Sequence, residues 1–335
     1  MNTLPNKSEH NILFIFILII ISINSYAQGE IGNADWEVIN NGVSFGYETP
    51  IDFVSDQVGW LAGDGALLKT KNGGDTWINI QVNSNLYFGD IDFINEDVGW
   101  CIGYYYDKGH NRHDFIGKSI DGGTTWTITK LSDKNADFKI IYAINDSVAY
   151  VAEWSTIHET SDGGENWIDV SQDEDIGIYS MWFFNADSGI VAGRDNDLNG
   201  IILKTFNGGN SWRRTTDSNI RRFENLQFIN DSTGYFIAFN ENNEGSICFT
   251  SDACNSWTTV TDSSLDILSF DFFDNDKVCA VIWDSLQGSQ VMISTDGGST
   301  WKGTDLPTGW MDYEMYFHNP NLGLVLSTIA GGRGG

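Results

Sequence analysis

The chain of 335 residues is 41% hydrophobic and 13% aromatic and has only 4 prolines, which allows a sizeable core and excludes a long disordered linker. Its formal net charge of −28 excludes nucleic acid and anionic lipid as favoured partners, because both are bound by clustered Lys and Arg side chains. We interpret the excess negative charge as solvated surface that keeps the protein soluble.

The first 27 residues have the pattern of a signal peptide. A polar start with Lys7 precedes an apolar run from Ile12 to Ile23, and small residues follow at Ser25 and Ala27. This run falls short of the ~20 residues that span a bilayer. The pattern predicts cleavage before Gln28, no membrane span, and a secreted, periplasmic or cell-surface protein whose residues 28–335 form a single domain.

Six turns share one pattern, in which Asn or Asp is followed by two small residues, usually glycines, and then, three residues later, by Trp. Successive Trp residues are 49, 41, 45, 45 and 44 positions apart, which indicates a structural repeat. The paired positions are Asn72 and Trp77, Asp121 and Trp126, Asp162 and Trp167, Asn207 and Trp212, Asp252 and Trp257, and Asp296 and Trp301.

Each residue type in these turns has a physical role. The carboxylate or amide oxygen accepts hydrogen bonds from nearby backbone N–H groups, glycine allows positive φ, and the Trp covers the apolar side of the hairpin. The fifth turn departs from the pattern, with Ala253 and Cys254 at the glycine positions. Cys248 and Cys254 flank this turn, so we predict that they are either a disulfide or two core thiols.

A second element precedes each turn: a Phe or Ile, an Asn/Asp turn, and a short apolar strand, as in Ile51–Phe53 followed by Gly59–Gly63. Seven such elements occur, the last near Phe317. Short strands at a period near 45 residues are typical of four-stranded propeller blades. We therefore predict an all-β, seven-bladed β-propeller whose last blade is incomplete and is closed by the N-terminal strand that begins at Trp36.

The turns resemble the Asp boxes, also called BNR repeats, of sialidases, xyloglucan hydrolases, sortilin-type receptors and photosystem II assembly-factor-like proteins. The combined pattern over roughly residues 36 to 330 is most similar to the assembly-factor-like propellers. The resemblance implies a fold that supports many unrelated functions. Sialidases of this architecture hold a carboxylate with three arginines, and no position-by-position match to that site is found.

The longest turn expected between the second and third strands of a blade spans residues 104–114. Its side chains are the most ligand-like in the chain, although a solvated insertion is the alternative. The candidates for binding there are Tyr105, His110, Arg112, His113 and Asp114. Arg221 and Arg222, on a link between blades, could meet an acidic ligand or be solvated.

The position before each repeated Phe defines a second candidate site. It holds Asp52, Asp92, Tyr142, Trp182, Gln227, Asp271 and Tyr316 in turn. If these side chains line a central channel, Asp52, Asp92, Asp271 and Trp182 would suit a sugar or a cation, whereas the alternative is that they hydrogen-bond to neighbouring strands. Ca²⁺ is the one cofactor considered, and the side chains that could bind it are Asp195 with Asp197 or Glu241 with Glu244. The alternative is that these side chains are polar residues of turns and bind no metal.

Two functions follow from these features. The first is a non-enzymatic, monomeric binding propeller that presents its loops to a protein or glycan partner, because no catalytic motif accompanies the repeats. The second is a glycoside hydrolase of the xyloglucanase kind that uses the channel carboxylates.

Overall fold

The computed structural model describes residues 50–305 except 64, 81–85, 131–136, 172–175, 262–265, 273–276 and 285–287, together with terminal strands at 15–22, 35–39, 310–319 and 322–329. All regular structure in these ranges is β-strand, and the strands pair antiparallel in four-stranded sheets. None of the described segments forms a helix that is long and apolar enough to cross a membrane.

The strands are given in chain order. Two come first, β1 (Ile15–Ser22) and β2 (Asp35–Ile39). Blade 1 contains β3 (Ile51–Phe53), β4 (Gly59–Gly63), β5 (Ala66–Thr70) and β6 (Ile78–Ile80). Blade 2 contains β7 (Leu86–Phe93), β8 (Gly99–Tyr106), β9 (Arg112–Ser119) and β10 (Thr127–Thr129). Blade 3 contains β11 (Ile140–Ala143), β12 (Ala149–Ala152), β13 (Ile157–Thr160) and β14 (Ile168–Asp169). Blade 4 contains β15 (Ile176–Phe183), β16 (Gly189–Asp195), β17 (Gly200–Thr205) and β18 (Arg213–Asp217). Blade 5 contains β19 (Arg222–Phe228), β20 (Gly234–Phe239), β21 (Gly245–Thr250) and β22 (Thr258–Thr259). Blade 6 contains β23 (Asp266–Phe272), β24 (Val278–Asp284), β25 (Gly288–Ser294) and β26 (Lys302–Asp305). The last two strands are β27 (Trp310–Asn319) and β28 (Leu322–Ile329).

The predicted seven-bladed propeller, with a last blade closed by one N-terminal strand, is corrected by this arrangement. The structure shows six blades of four strands each, in which consecutive strands pair, and each of these blades carries one Asp box. The four terminal strands form a sheet of different order, β2-β1-β28-β27, so the N-terminal region supplies two strands rather than one.

The strand that was not predicted, β1, explains the error. The Ile-rich run that predicts a signal peptide lies in β1, where Ile15 pairs with Ile329 and Ser22 pairs with Leu322. An apolar run of this length is compatible with a strand as well as with a leader. Removal of residues 1–27 during export stays a prediction.

The core lies between neighbouring blades. Trp60 of blade 1 is fully buried and stacks on Phe93 of blade 2, with ring centroids 3.7 Å apart. Tyr150 of blade 3 stacks on Phe183 of blade 4 at the same distance. Each blade therefore covers the apolar face of the next, and removal of these aromatic surfaces from water is the main stabilising term of the fold.

The Asp box of blade 2 shows how the repeated turn chemistry operates. The Asp121 Oδ1 atom accepts hydrogen bonds from the Thr125 N–H at 2.8 Å and from the Ser119 hydroxyl at 2.9 Å. Gly122 and Gly123 have φ values of 68° and 90°, which a residue with a Cβ adopts only at a cost. The Gly122 N–H donates to the Asp97 carbonyl at 2.8 Å, so the box is tied to the turn between β7 and β8.

Replacement of Asp121 by alanine is expected to lower the free energy of unfolding by about 0.5–2 kcal/mol, as for the loss of a side-chain cap. The change removes the acceptor of the Thr125 N–H and of two hydroxyl groups. Urea unfolding monitored by circular dichroism measures the difference. The exposed neighbour Thr124 is the matched control, and an equal loss in Thr124→Ala would contradict this role for Asp121.

The six box tryptophans are all half-buried and pack edge-on against aromatic rings or the blade core. Trp126 contacts Phe88 and Phe93 at centroid distances of 5.8 and 5.9 Å, and Trp167 lies 5.9 Å from Trp100 with the rings nearly perpendicular. The same half-buried position is found for Trp77, Trp212, Trp257 and Trp301.

The fifth box keeps the turn geometry without glycine. Ala253 and Cys254 have φ values of 55° and 58°, and the Asp252 carboxylate still accepts a hydrogen bond from the Ser256 N–H at 2.8 Å. The alternative of a Cys248–Cys254 disulfide is corrected, because both residues are free thiols. The Cys254 thiol is fully buried among apolar side chains, and the Cys248 sulfur lies 3.9 Å from the Thr259 hydroxyl.

Candidate functional site

The blades present two different faces. The turn between the first two strands of a blade lies beside its Asp box, as shown by the Gly73 N–H to Gln57 carbonyl bond at 2.9 Å. We call this the Asp-box face. The turns between second and third strands meet the links between blades on the opposite side, where the Ile178 N–H donates to the Trp154 carbonyl at 2.7 Å. We call this the hairpin face.

The inner-strand carboxylates hold neighbouring blades together. The Asp52 Oδ2 atom accepts a hydrogen bond from the Phe93 N–H at 2.6 Å, and the Asp92 Oδ2 atom accepts one from the Ala143 N–H at 2.7 Å. Asp90 bonds to the Ile141 N–H at 2.9 Å in the same way. The alternative interpretation of these positions, as hydrogen-bonding partners between inner strands, therefore accounts for Asp52 and Asp92.

Burial shifts the pKa of both carboxyls upward. Loss of hydration raises the pKa of Asp92 to about 6, although the Ala143 N–H favours the charged form. Loss of hydration, with the adjacent charges of Asp92 and Asp90, raises the pKa of Asp52 well above its usual value. The inner strands of blades 1 and 2 therefore carry a cluster of poorly solvated carboxyls.

The remaining inner-strand candidates are spread around the other blades. Trp182 is half-buried between the rings of Tyr142 and Phe228, at centroid distances of 5.7 and 6.1 Å. The Gln227 amide donates to the Phe270 carbonyl at 3.2 Å. Asp271 is buried and accepts a hydrogen bond from the Phe272 N–H at 2.8 Å. The Tyr316 side chain lies outside the described residues.

The predicted loop of blade 2 is mostly strand. Tyr104, Tyr105 and Tyr106 pair with Asp114, His113 and Arg112, so only residues 107–111 form the tip. This corrects the expectation of a turn that spans residues 104–114. Asp107 closes the tip by accepting from the N–H groups of Gly109 and Asn111 at 2.8 and 2.9 Å.

The side chains of this hairpin are largely engaged with one another. The Arg112 Nε atom donates to the Asp114 carboxylate at 2.8 Å, and the guanidinium lies 4.3 Å from the centroid of the Tyr104 ring. Tyr105 is half-buried and stacks on His113 with a centroid distance of 5.2 Å. His110 is exposed at the tip, where it has a φ of 62°.

Blades 3 to 5 form a different group on the hairpin face, which we call the arginine–aromatic cluster: Trp154, Tyr179, Arg194 and Arg222. The Arg194 guanidinium lies 5.8 Å from the Trp154 ring centroid and 5.7 Å from that of Tyr179. The Arg222 guanidinium lies 3.6 Å from the Phe239 ring centroid and pairs with Glu224. Trp154 is 48% exposed, so its ring is available to a partner.

Arg194 of this cluster, and Arg221, which precedes Arg222 in the chain, have no carboxylate partner in the described part of the chain. The salt bridges found there do not include Arg194 or Arg221. Arg221 donates from Nη1 to the Glu241 carbonyl at 3.5 Å, and its buried Nε has no acceptor among the residues that the structure describes. Sequence patterns place these arginines near loops, but they do not reveal Trp154 and Tyr179, because the cluster is assembled from three blades.

The carboxylates considered for Ca²⁺ are used in turns. Asp195 accepts from the Asn199 N–H at 2.8 Å and pairs with Arg214 at 2.8 Å. Glu241 and Glu244 are exposed on a turn in which the Glu244 N–H bonds to the Asn240 side chain at 3.0 Å. Within the described ranges no group of three or more His, Cys, Asp and Glu side chains is placed to hold a metal ion.

The sequence match decides the relationship of the chain to known proteins. Residues 30–330 match the family described as photosynthesis system II assembly factor YCF48. The chain belongs to the YCF48 family. This confirms the resemblance that the Asp boxes and the elements before them predict.

Solved structures place the YCF48-family chain among a wide set of similar folds. YCF48 bound to a D1 peptide is 20% identical, with 92% of this chain and 99% of that chain covered and a TM-score of 0.66. The GH74 enzyme of Niastella koreensis is 14% identical, with 77% and 45% covered and a TM-score of 0.59. A puromycin-hydrolyzing peptidase of Mycobacterium tuberculosis is 11% identical, with 78% and 46% covered and a TM-score of 0.55. No curated protein sequence matches the chain.

Proposed function

We propose that this YCF48-family protein is an exported, non-enzymatic propeller that binds an extended segment of a protein partner on its hairpin face. The observation that carries the proposal is the arginine–aromatic cluster, where Arg194 lies beside the exposed ring of Trp154 and has no carboxylate partner among the described residues. The partner segment would supply acidic and apolar side chains.

Charge distribution supports this choice of face. The protein carries a formal net charge of −28, yet four of its seven arginines, Arg112, Arg194, Arg221 and Arg222, belong to the hairpin face. Arg112 and Arg222 are paired with Asp114 and Glu224, so the guanidinium group of the cluster that is left to an acidic segment is that of Arg194. Trp, Tyr and Arg are also the residue types that contribute most to binding energy at protein interfaces.

The family relationship points the same way. A solved structure similar to this chain is YCF48 bound to a D1 peptide, so a protein of this family holds a peptide. We extend only the class of ligand, a protein segment, to this chain. Export stays part of the proposal because it depends on the predicted signal peptide.

Selection of random peptides displayed on phage tests the proposal directly. We expect enrichment of sequences in which Asp or Glu is close to an aromatic residue. Arg194→Ala is expected to weaken a selected peptide by about tenfold or more, because a hydrogen bond to a charged group contributes about 1.5–3 kcal/mol. Trp154→Ala is expected to weaken the same peptide, and fluorescence polarisation measures each dissociation constant.

Lys71→Ala is the matched control, because it removes an exposed positive charge from the Asp-box face. Its affinity should equal that of the wild type. Peptides that bind Arg194→Ala as tightly as the wild type would place the binding site elsewhere. Sugar release from a defined polysaccharide that disappears in Asp92→Asn would instead support the glycoside hydrolase alternative.

A further inference from the structure

A pocket of about 250 Å³ opens on the Asp-box face between blades 4 and 5. Its walls come from the turn after β15, from the Asp boxes of both blades and from the start of β18. The side chains that matter to its chemistry are Phe184, Lys204, Phe206, Arg213, Asp231 and Asn255.

The pocket lies beside blade 4, which, like blade 6 with Cys279, lacks an aromatic ring that the other four blades have at one position. The second position of β4, β8 and β12 holds Trp60, Trp100 and Tyr150, and each of these side chains donates a hydrogen bond to a backbone carbonyl of the next blade. Blade 4 has Ile190 at this position. The smaller side chain leaves space beside blade 5 that a ring fills between the earlier blades.

Lys204 lies in this pocket without the partners of its equivalents. The Lys69 ammonium donates to the Glu96 carbonyl at 2.9 Å and lies 4.4 Å from the Trp60 ring centroid. Lys118 makes the corresponding contacts with the Asp146 carbonyl and the Trp100 ring. Both arrangements combine an acceptor from the next blade with an aromatic face.

Lys204 is more buried than Lys69 and Lys118, and its charge is less well compensated by contacts. Only 6% of its surface is exposed, and its ammonium, which has three donors, finds a single acceptor among the described residues, the Asn255 Oδ1 atom at 2.8 Å. Burial lowers the pKa of Lys204 and the charge of Arg213 adds to this effect, although Cys254 and the Asp252 carboxylate act in the opposite direction. Asp252 and Asp231 are near the ammonium but make no salt bridge with it among the described residues, so an anion that enters the pocket and contacts Lys204 directly gains a favourable pairing.

We propose that this pocket binds the carboxyl-terminal residue of a peptide, with the carboxylate on Lys204 and Arg213 and an apolar side chain against Phe184 and Phe206. Phe206 is 71% exposed, so its ring is available to such a side chain. The exposed Asp231 carboxylate on the pocket wall disfavours doubly charged anions, which selects a carboxylate over a phosphate. The pocket is on the face opposite the arginine–aromatic cluster and is independent of the peptide site proposed above.

Calorimetric titration with N-acetylphenylalanine and with its amide tests the assignment. We expect saturable binding of the carboxylate with a dissociation constant of about 1 mM or tighter, and at least tenfold weaker binding of the amide. Lys204→Met should weaken the carboxylate at least tenfold, whereas Lys118→Met, the equivalent change in blade 2, should leave it unchanged. Ile190→Trp restores the residue found in blades 1 and 2 and should abolish binding while the fold is retained.

The proposal would be overturned by no saturable binding to the wild type, by equal affinity for the amide, or by unchanged binding to Ile190→Trp. Displacement of N-acetylphenylalanine by equimolar inorganic phosphate would also overturn it, because the pocket would then be a general anion site. These ligands and variants differ from those that test the hairpin face, so the two proposals fail separately.

Discussion

Replacement of Trp60 by alanine is expected to lower the free energy of unfolding by about 3–5 kcal/mol. The indole is fully buried between blades 1 and 2, where it stacks on Phe93 at a centroid distance of 3.7 Å. Its Nε1 atom donates to the Gly122 carbonyl at 3.0 Å, so the change also leaves a buried acceptor without its donor. Urea unfolding followed by circular dichroism gives the difference in free energy.

Trp154→Ala is the matched control, because it removes the same side chain from a site that is 48% exposed. Its expected cost is within about 1 kcal/mol of zero. Equal losses in the two variants would contradict a core that lies between blades. The comparison also separates stability from binding, since Trp154 belongs to the proposed peptide site.

The Asp boxes could be predicted from the sequence because their chemistry is local. The hydrogen bonds of Asp121 join residues within four positions, and the glycines are required by the φ values of the same turn. The hydrogen bond between Asp52 and a neighbouring strand could be predicted only as one of two alternatives, the other being a side chain that lines a channel. The acceptor role of Asp52 toward Phe93 depends on two blades meeting across 41 positions of the chain.

Features that depend on distant pairing were mispredicted or missed. The strand at Ile15–Ser22 pairs with Leu322–Ile329, and an apolar run alone does not indicate its partner. The hairpin of blade 2 extends its strands because three tyrosines pair with residues 112–114. The pocket lies beside Ile190, where blade 4 lacks a ring, and this absence becomes visible only when the blades are superimposed on one repeat.

Stability is expected to fall as the pH rises from about 4 to about 7, because of the inner-strand carboxyls. The pKa of Asp92 is about 6 in the folded protein, above the ordinary value of about 3.9 for an aspartate, so between these values the folded state holds a proton that the unfolded state has released. Below pH 4 both states are protonated and Asp92 has no effect. Above its folded pKa the buried charge destabilises the fold by at most about 3 kcal/mol, since one pKa unit corresponds to about 1.4 kcal/mol.

Asp92→Asn is therefore expected to raise the free energy of unfolding at pH 7 by about 1–2 kcal/mol, since the amide oxygen still accepts from the Ala143 N–H and the charge is gone. Urea unfolding at pH 4 and pH 7 should show the gain only at pH 7. Asp195→Asn is the control of opposite sign, because the Asn199 hydrogen bonds and Arg214 outweigh burial and lower the pKa of Asp195. That variant should lose about 1–3 kcal/mol at pH 7, and the loss should diminish as the pH falls through the folded pKa of the wild-type carboxyl. A gain in both variants at pH 7 would mean that net charge, rather than the local surroundings of Asp92, controls the pH dependence.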